Sequence, residues 1–308
     1  MVTPTARRDA VGHMIQAYGI SRRRGCGLVG LRRSSLYYQG SKRPDGPLRD
    51  AIREVAGRRK RWGVPMIARY LRRKGWKDNY KRIERIYRQE GLQVRRRKRK
   101  KMAAVARTPL EQTTRPNQVW AMDFVHDAAQ GGRKLKLLTL IDCHTRECLA
   151  IEVDSSIGGH RVARVLDAVA AGRGFPGQIT TDNGPEFTGN ALEAWAYARG
   201  VRLDPIEPGK PSQNGYIESF NGTLRNECLN EHWFTSMADA RQIIEEWRVD
   251  YNEERPHSSL SDQPPAEFAR NESRPDLASA PTSSGWPILA EPRSGEPLEA
   301  GLPAQEKA

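Results

Sequence analysis

The chain has 308 residues, with 51 Lys+Arg against 37 Asp+Glu and a formal net charge of +14; that length allows about two domains and a sizeable core, and that charge points to an anionic polymer or surface as partner. A mean hydropathy of -0.73 and the lack of any long apolar run exclude a membrane-spanning helix. Four cysteines are too few for a disulfide scaffold, and the first ten residues lack the apolar segment of a secretory signal, so the chain is read as cytoplasmic with reduced thiols.

The charge is unevenly spread. Residues 1–110 hold 32 Lys+Arg and 7 Asp+Glu, a net of +25, whereas residues 111–308 hold 19 and 30, a net of −11. A short basic run is usually a solvated surface, but an excess sustained over 110 residues reads as nucleic-acid binding. Within 1–40, Val11, Ile15 and Tyr18 mark a helix from Ala6 to Tyr18 that Gly19 breaks. Ser21 caps a second helix, Gly30 ends it, and Ser34 opens a third through Leu36, Tyr37 and Tyr38. The pattern is helix-turn-helix-like, with Arg32 and Arg33 as candidate DNA contacts.

Ser41–Pro47 is a linker, and a second basic helical unit with a DNA-binding role is assigned to 41–101. Leu48, Ile52 and Val55 mark its first helix, Ile67, Tyr70 and Leu71 its second, and Ile83, Ile86 and Tyr87 its third, with breaks at Gly63, Gly75 and Gly91. Arg72, Arg73, Lys74, Lys81, Arg82 and Arg85 crowd the polar faces. Then Arg95, Arg96, Arg97, Lys98, Arg99, Lys100 and Lys101 stand in one run. Seven like charges repel one another and order only against a polyanion, so all seven are candidate DNA contacts.

After a linker at 102–116 the texture changes. Strands are predicted at Val119–Val125, Leu135–Ile141, Cys148–Val153, Ile179–Thr181 and Val201–Leu203. Helices are predicted at about Arg161–Ala170, Ala191–Arg199, Gln213–Asn230 and Ala238–Tyr251. Strands first, then alternating helix and strand, give an α/β layer fold over 117–268, with helices on a mixed sheet. Residues 269–308, dense in Pro, Gly, Ser and Glu, read as a disordered tail.

Three acids stand out in this part. Asp123 lies inside the first strand, where a charge is costly unless paired or bound to metal. Asp182 follows the strand Ile179–Thr181, at the strand end where open α/β sheets hold ligands. Glu218 lies on the long helix. Each alone has a plain reading as a paired acid, a turn-forming Asp-Asn-Gly or an exposed helical Glu.

Together they carry more. Asp123 precedes Asp182 by 59 positions, and 35 residues separate Asp182 from Glu218. This spacing resembles the Asp, Asp-35-Glu signature of retroviral integrases and related bacterial transposases. The words Trp120-Ala121-Met122-Asp123-Phe124, Thr181-Asp182-Asn183-Gly184-Pro185-Glu186-Phe187 and Asn214-Gly215-Tyr216-Ile217-Glu218-Ser219-Phe220-Asn221-Gly222 resemble the downstream-frame protein of IS3-family insertion-sequence transposases. So does Tyr251-Asn252-Glu253-Glu254-Arg255-Pro256-His257, and Ser21–Cys26 with Arg33–Tyr38 resembles the family's helix-turn-helix regions. The resemblance covers roughly residues 6–268.

It implies an RNase H-like catalytic domain preceded by an all-α DNA-binding region, and divalent-metal-dependent cleavage and strand transfer at the ends of a mobile element. It implies double-stranded DNA (element ends and target) as partner, a homo-oligomer on that DNA, a possible upstream-frame protein, no membrane, and action in the bacterial cytoplasm at the nucleoid. Three carboxylates in a dry cleft need cations. Oxygen donors suit Mg²⁺ or Mn²⁺, and two such ions can clamp an in-line phosphoryl displacement. The family implies Asp123 between both ions, with Asp182 and Glu218 on opposite sides. In the family a Lys or Arg lies seven residues after the glutamate, where this chain has Arg225. Two helical turns put it on the Glu218 face, within reach of a phosphate. Gln213 and Asn214, at the helix start after the Pro205–Pro211 loop, are further candidate phosphate donors.

Competing features are weaker. Cys143, His144 and Cys148 look like part of a zinc site, without a second close pair. His257 reads as a packing or phosphate contact, and Ser219 has no His/Asp relay. A metal-dependent nuclease without strand transfer uses the same three acids. A catalytically inactive DNA-binding regulator would be favoured by a missing acid, and all three are present.

Overall fold

The computed structural model describes residues 3–38, 44–95, 113–184, 186–187, 189–206 and 214–272. Three short helices come first: α1 (Pro4–Tyr18), α2 (Arg22–Leu28) and α3 (Arg33–Tyr37). Gly19 ends α1 at φ +60, a left-handed value that favours glycine, and the Ser21 hydroxyl accepts from Arg24 N (3.3 Å) to cap α2. Arg32, and not Ser34, is the N-cap of α3. Arg32 and Arg33 are both exposed.

The second unit holds α4 (Gly46–Arg58), α5 (Val64–Arg73) and α6 (Tyr80–Gln89). All nine apolar residues picked from the helical spacing are buried here, around Trp62. Arg95 is exposed, while Arg96 to Lys101 lie outside the described residues.

The α/β part contains β1 (Val119–Ala128), β2 (Lys134–Asp142), β3 (Cys148–Asp154), α7 (Gly159–Arg173), β4 (Gln178–Thr181), α8 (Asn190–Arg199) and β5 (Arg202–Pro205). Then come α9 (Gly215–Leu224), α10 (Met237–Glu253) and α11 (Pro265–Glu272). The sheet order is β3-β2-β1-β4-β5, with β1, β2 and β3 antiparallel and β4 and β5 parallel to β1. This is the mixed sheet of an RNase H-like fold, as the resemblance implies. The side-chain alternation of β1 divides the core into two layers. Trp120 and Met122 pack with Val162 and Leu166 of α7 and Leu192 of α8. Ala121 and Val125 face Ile217, Phe220 and Leu224 of α9 and Ile244 and Tyr251 of α10. Asp123 shares the second face by the same alternation, and so points toward α9.

Three expectations change. The long helix predicted over Gln213–Asn230 is α9 followed by a π-helical turn, Arg225–Leu229. That turn is held from outside: Glu227 accepts two hydrogen bonds from Arg255 (2.9 and 2.8 Å) and one from Trp62 Nε1 (3.2 Å). The chain past 268 continues as α11 to Glu272 through Pro265 and Ala266, both buried. The rest of the tail lies outside the described residues. Finally, five cations of the second unit pair with acids of the α/β part, three of them while remaining exposed. Arg59 pairs with Asp250, Arg61 with Glu231, Arg69 with Asp262, Arg73 with Glu267 and Lys74 with Glu254. The net charge of the two halves carried this attraction, but not its address.

Candidate active site

Strand register builds the site. β1 and β4 are parallel, with Trp120 opposite Ile179 and Ala121 opposite Thr180. Continuing that register by two positions brings Asp182, just past the end of β4, level with Asp123. Across β1, Asp123 stands opposite Thr139 of β2. α9 packs over β1 and β2 and carries Glu218 in its first turn.

Asn221, one turn after Glu218, ties helix to sheet. Its Nδ2 donates to Asp123 Oδ2 (2.8 Å), and its Oδ1 lies 2.9 Å from the Thr139 hydroxyl. That hydroxyl also reaches the Asp123 carbonyl (3.1 Å), and Thr139 is fully buried. The other Asp123 oxygen accepts from Phe124 N (2.7 Å). Sequence reasoning missed both Thr139 and Asn221. Their signal was the i+3 step from Glu218 and the strand position facing Asp123, visible only once the strands are paired.

The loop after β4 is pinned as well. Gly184 N donates to Asp182 Oδ1 (3.1 Å), and Asn183 Nδ2 donates to the Ile206 carbonyl (2.9 Å). A Cβ at Gly184 would meet Asp182 Oδ1 at 3.1 Å and Glu186 Oε2 at 3.2 Å, so a larger residue would have to push one of these carboxylates aside. Phe187 stacks on Phe124 (4.9 Å between centroids), and Glu186 pairs with Lys136 of β2. The Lys136 ammonium sits 4.0 Å over the Phe124 ring.

Electrostatics link the three acids. Burial raises the Asp123 carboxyl above its usual range, and the charges of Asp182 and Glu218 add to the rise. Hydrogen bonds from Phe124 and Asn221 oppose it. Among the described residues none of the three acids forms an ion pair. Their donor set is all oxygen and its charge is uncompensated, which fits a hard divalent cation. The expected convergence on one point is not closed, however. Among the described residues no three His, Cys, Asp or Glu side chains stand together as a metal-holding group. Both Asp123 oxygens and Asp182 Oδ1 accept hydrogen bonds from N–H donors.

The flanking candidates fare differently. Arg225 is exposed, and its Nη2 donates to the His126 carbonyl of β1 (2.9 Å), leaving other guanidinium N–H groups for a ligand. It pairs with neither Glu218 nor Glu227 in the structure. Asn214 is buried, only 4% exposed, so it is not presented to a polymer as expected. Gln213 lies outside the described residues. Burial pushes the Cys143 and Cys228 thiols up to about 12 and Cys148 higher still, so they stay protonated and pack as apolar groups.

Comparison with known proteins bears on the same segments. A family model described as an HTH-like domain matches residues 44–100, and models described as integrase core domains match 113–211 and 199–265. The insertion element IS407 uncharacterized 31.7 kDa protein of Burkholderia multivorans is 50% identical over 251 residues, covering 81% of this chain and 91% of that protein. The IS476 uncharacterized 39.2 kDa protein of Xanthomonas euvesicatoria is 44% identical over 271 residues, covering 88% of this chain and 78% of that protein. Transposase InsD for insertion element IS2A/D/F/H/I/K of Escherichia coli is 29% identical, covering 71% of this chain and 77% of that protein.

Proposed function

The chain belongs to the IS3-family insertion-sequence transposases, DNA-acting enzymes of the integrase-core type that cleave and transfer DNA strands, and on that premise we propose that Asp123, Asp182 and Glu218 are its catalytic acids. The observation that supports this most is geometric: the β1–β4 register sets Asp182 level with Asp123, and the helix that carries Glu218 is tied to Asp123 by Asn221. Mg²⁺ or Mn²⁺, as two ions, would be held by these three carboxylates and would supply charge stabilisation for phosphoryl transfer.

The chain's own residues do the rest. Asn221 and Thr139 fix the Asp123 carboxylate on the sheet. Gly184 fixes Asp182 in its turn. Arg225, anchored on His126, would hold a phosphate of the bound strand at the edge of β1. Arg32, Arg33 and the run from Arg95 to Lys101 supply counterion-releasing contacts to double-stranded element ends and target, on an oligomer assembled there in the cytoplasm. An upstream-frame protein joins that assembly.

The experiment is a strand-transfer assay on duplexes of the element ends, with and without the upstream product. Asp123→Asn, Asp182→Asn and Glu218→Gln are each expected to lower cleavage and transfer about a thousandfold, as the loss of roughly 4 kcal/mol of charge stabilisation implies. DNA binding should persist. Near-normal transfer by any of the three would overturn the assignment. Cleavage without joining by the unaltered protein would favour the nuclease reading.

A further inference from the structure

On the side of α9 away from Asp123 lies a cleft of about 330 Å³. It is bounded by α9, by the segment Arg255–Ser259 after α10, by the β2–β3 turn and by α5 of the second helical unit. Three guanidiniums, Arg69, Arg146 and Arg255, line it, and none of its described lining residues is Asp or Glu. That runs against its background, because residues 111–308 carry a net charge of −11.

Two of the three cations are already matched. Arg69 pairs with Asp262 (3.1 Å), and Arg255 makes its two hydrogen bonds to Glu227. Arg146 is different. Its guanidinium carbon lies over the Tyr216 ring, 3.6 Å from the centroid. Stacking uses the face of the group and leaves its in-plane donors unspent. Among the described residues it has no ion pair, and its Nη1 is buried without a hydrogen-bond partner. A buried, unsatisfied donor on a charged group costs roughly 1–3 kcal/mol or more.

The backbone holds Arg146 in that position. It sits at φ +61 in the turn between β2 and β3, a left-handed value that costs an arginine about 1 kcal/mol. The turn is fixed by the buried Asp142 carboxylate, which accepts from His144 N (2.8 Å) and Thr145 N (3.1 Å), and by Arg146 N donating to the Asp142 carbonyl (2.9 Å). The surrounding field is positive: burial, Arg255 and Arg146 together hold His257 neutral, with its pKa lowered to about 3. Neutral imidazole and the exposed hydroxyls of Ser258 and Ser259 complete a surface that can donate to, and does not repel, an oxyanion.

We infer that this cleft is a phosphoryl-anion site anchored by Arg146, separate from the three acids and independent of them. The shared chemistry is a tetrahedral phosphate, from a DNA backbone or from a free phosphate compound. The DNA source is the one the position favours, since α5 of the helical unit and α9 of the catalytic unit both open onto the cleft.

The test uses the full chain and two probes, inorganic phosphate followed by ³¹P line width and a duplex oligonucleotide titrated over a salt series. Arg146→Gln removes the charge and keeps a planar group over Tyr216; Ser259→Asp leaves Arg146 alone and adds a negative charge at the mouth. With a backbone phosphate as ligand, both variants lower the slope of log K against log salt by about one. With a free phosphate as ligand, both weaken inorganic phosphate at least tenfold and leave the DNA slope unchanged. Asp123→Asn should leave both readouts intact, which separates failure here from failure of the catalytic assignment. The inference is overturned if neither readout moves, or if only Arg146→Gln moves them while lowering thermal stability.

Discussion

Two sets of carboxylates in the negatively charged half of this chain have opposite surroundings. Those that receive the second helical unit each meet a cation: Asp250, Glu231, Asp262, Glu267 and Glu254 face Arg59, Arg61, Arg69, Arg73 and Lys74. Asp123, Asp182 and Glu218 meet none among the described residues, and two of them raise the carboxyl of the third. Burial also raises Asp250 and Glu231, but there the neighbouring arginines pull the other way. Net charge alone cannot tell these sets apart. What separates them is whether the fold supplies the counter-charge or leaves it to a ligand.

The sharpest way to break that contrast is at Glu227, whose ion pair is enclosed on both sides. Both side chains of the Glu227–Arg255 pair are only 13% exposed. Removing one partner of such a pair leaves the other charge buried, at a cost of about 3–5 kcal/mol. Arg255→Ala should therefore lower stability by that order in urea unfolding. The same pair holds the π-helical turn behind the Glu218 helix, so strand transfer should fall with it. A loss under about 1 kcal/mol would show that water screens the pair.

Asn221 gives a smaller effect and a more specific one. Asn221→Ala removes one of the two hydrogen bonds that keep the Asp123 carboxyl from rising further. The charged form loses about 1–1.5 kcal/mol, so the acidic limb of the activity profile should move up by about one pH unit. Transfer at a pH on that limb should drop roughly tenfold, with little change in melting temperature. An unshifted limb would mean that Asn221 only packs.

How far the sequence carried this contrast can be read residue by residue. The strands were legible because their apolar runs end at turn residues, and the three helices of the second unit because their apolar spacing is helical and all their marked residues are buried. The acids were legible by spacing and by the words around them. Asn221 and Thr139 were not, because their role exists only when β1 pairs with β2 and α9 crosses both. The π-helical turn was not legible, and the partner that holds its Glu227, Arg255, is 28 positions away. The partners of Arg73 and Lys74 were hidden for the same reason: a charge count does not say which residue 180 positions away will meet Lys74.

An ion pair with both partners about a third exposed, such as Arg69–Asp262, is worth at most about 1 kcal/mol and is screened by salt. A double-mutant cycle on Arg69→Ala and Asp262→Ala should give that coupling at low salt and almost none at high salt. A coupling that survives high salt would mean the docked face is drier than its exposure implies.

Asp123 should behave in reverse. Its folded carboxyl titrates above the unfolded value, so the ionised form destabilises the fold. Stability from this group is present at low pH and is lost as pH rises through the raised pKa. Asp123→Asn in metal-free buffer should therefore stabilise the protein near neutral pH. The advantage should shrink as pH falls, because the native carboxyl then becomes neutral as well. A melting temperature lower than that of the unaltered protein at neutral pH would show that the fold already compensates this charge, and the contrast between the two sets of acids would disappear with it.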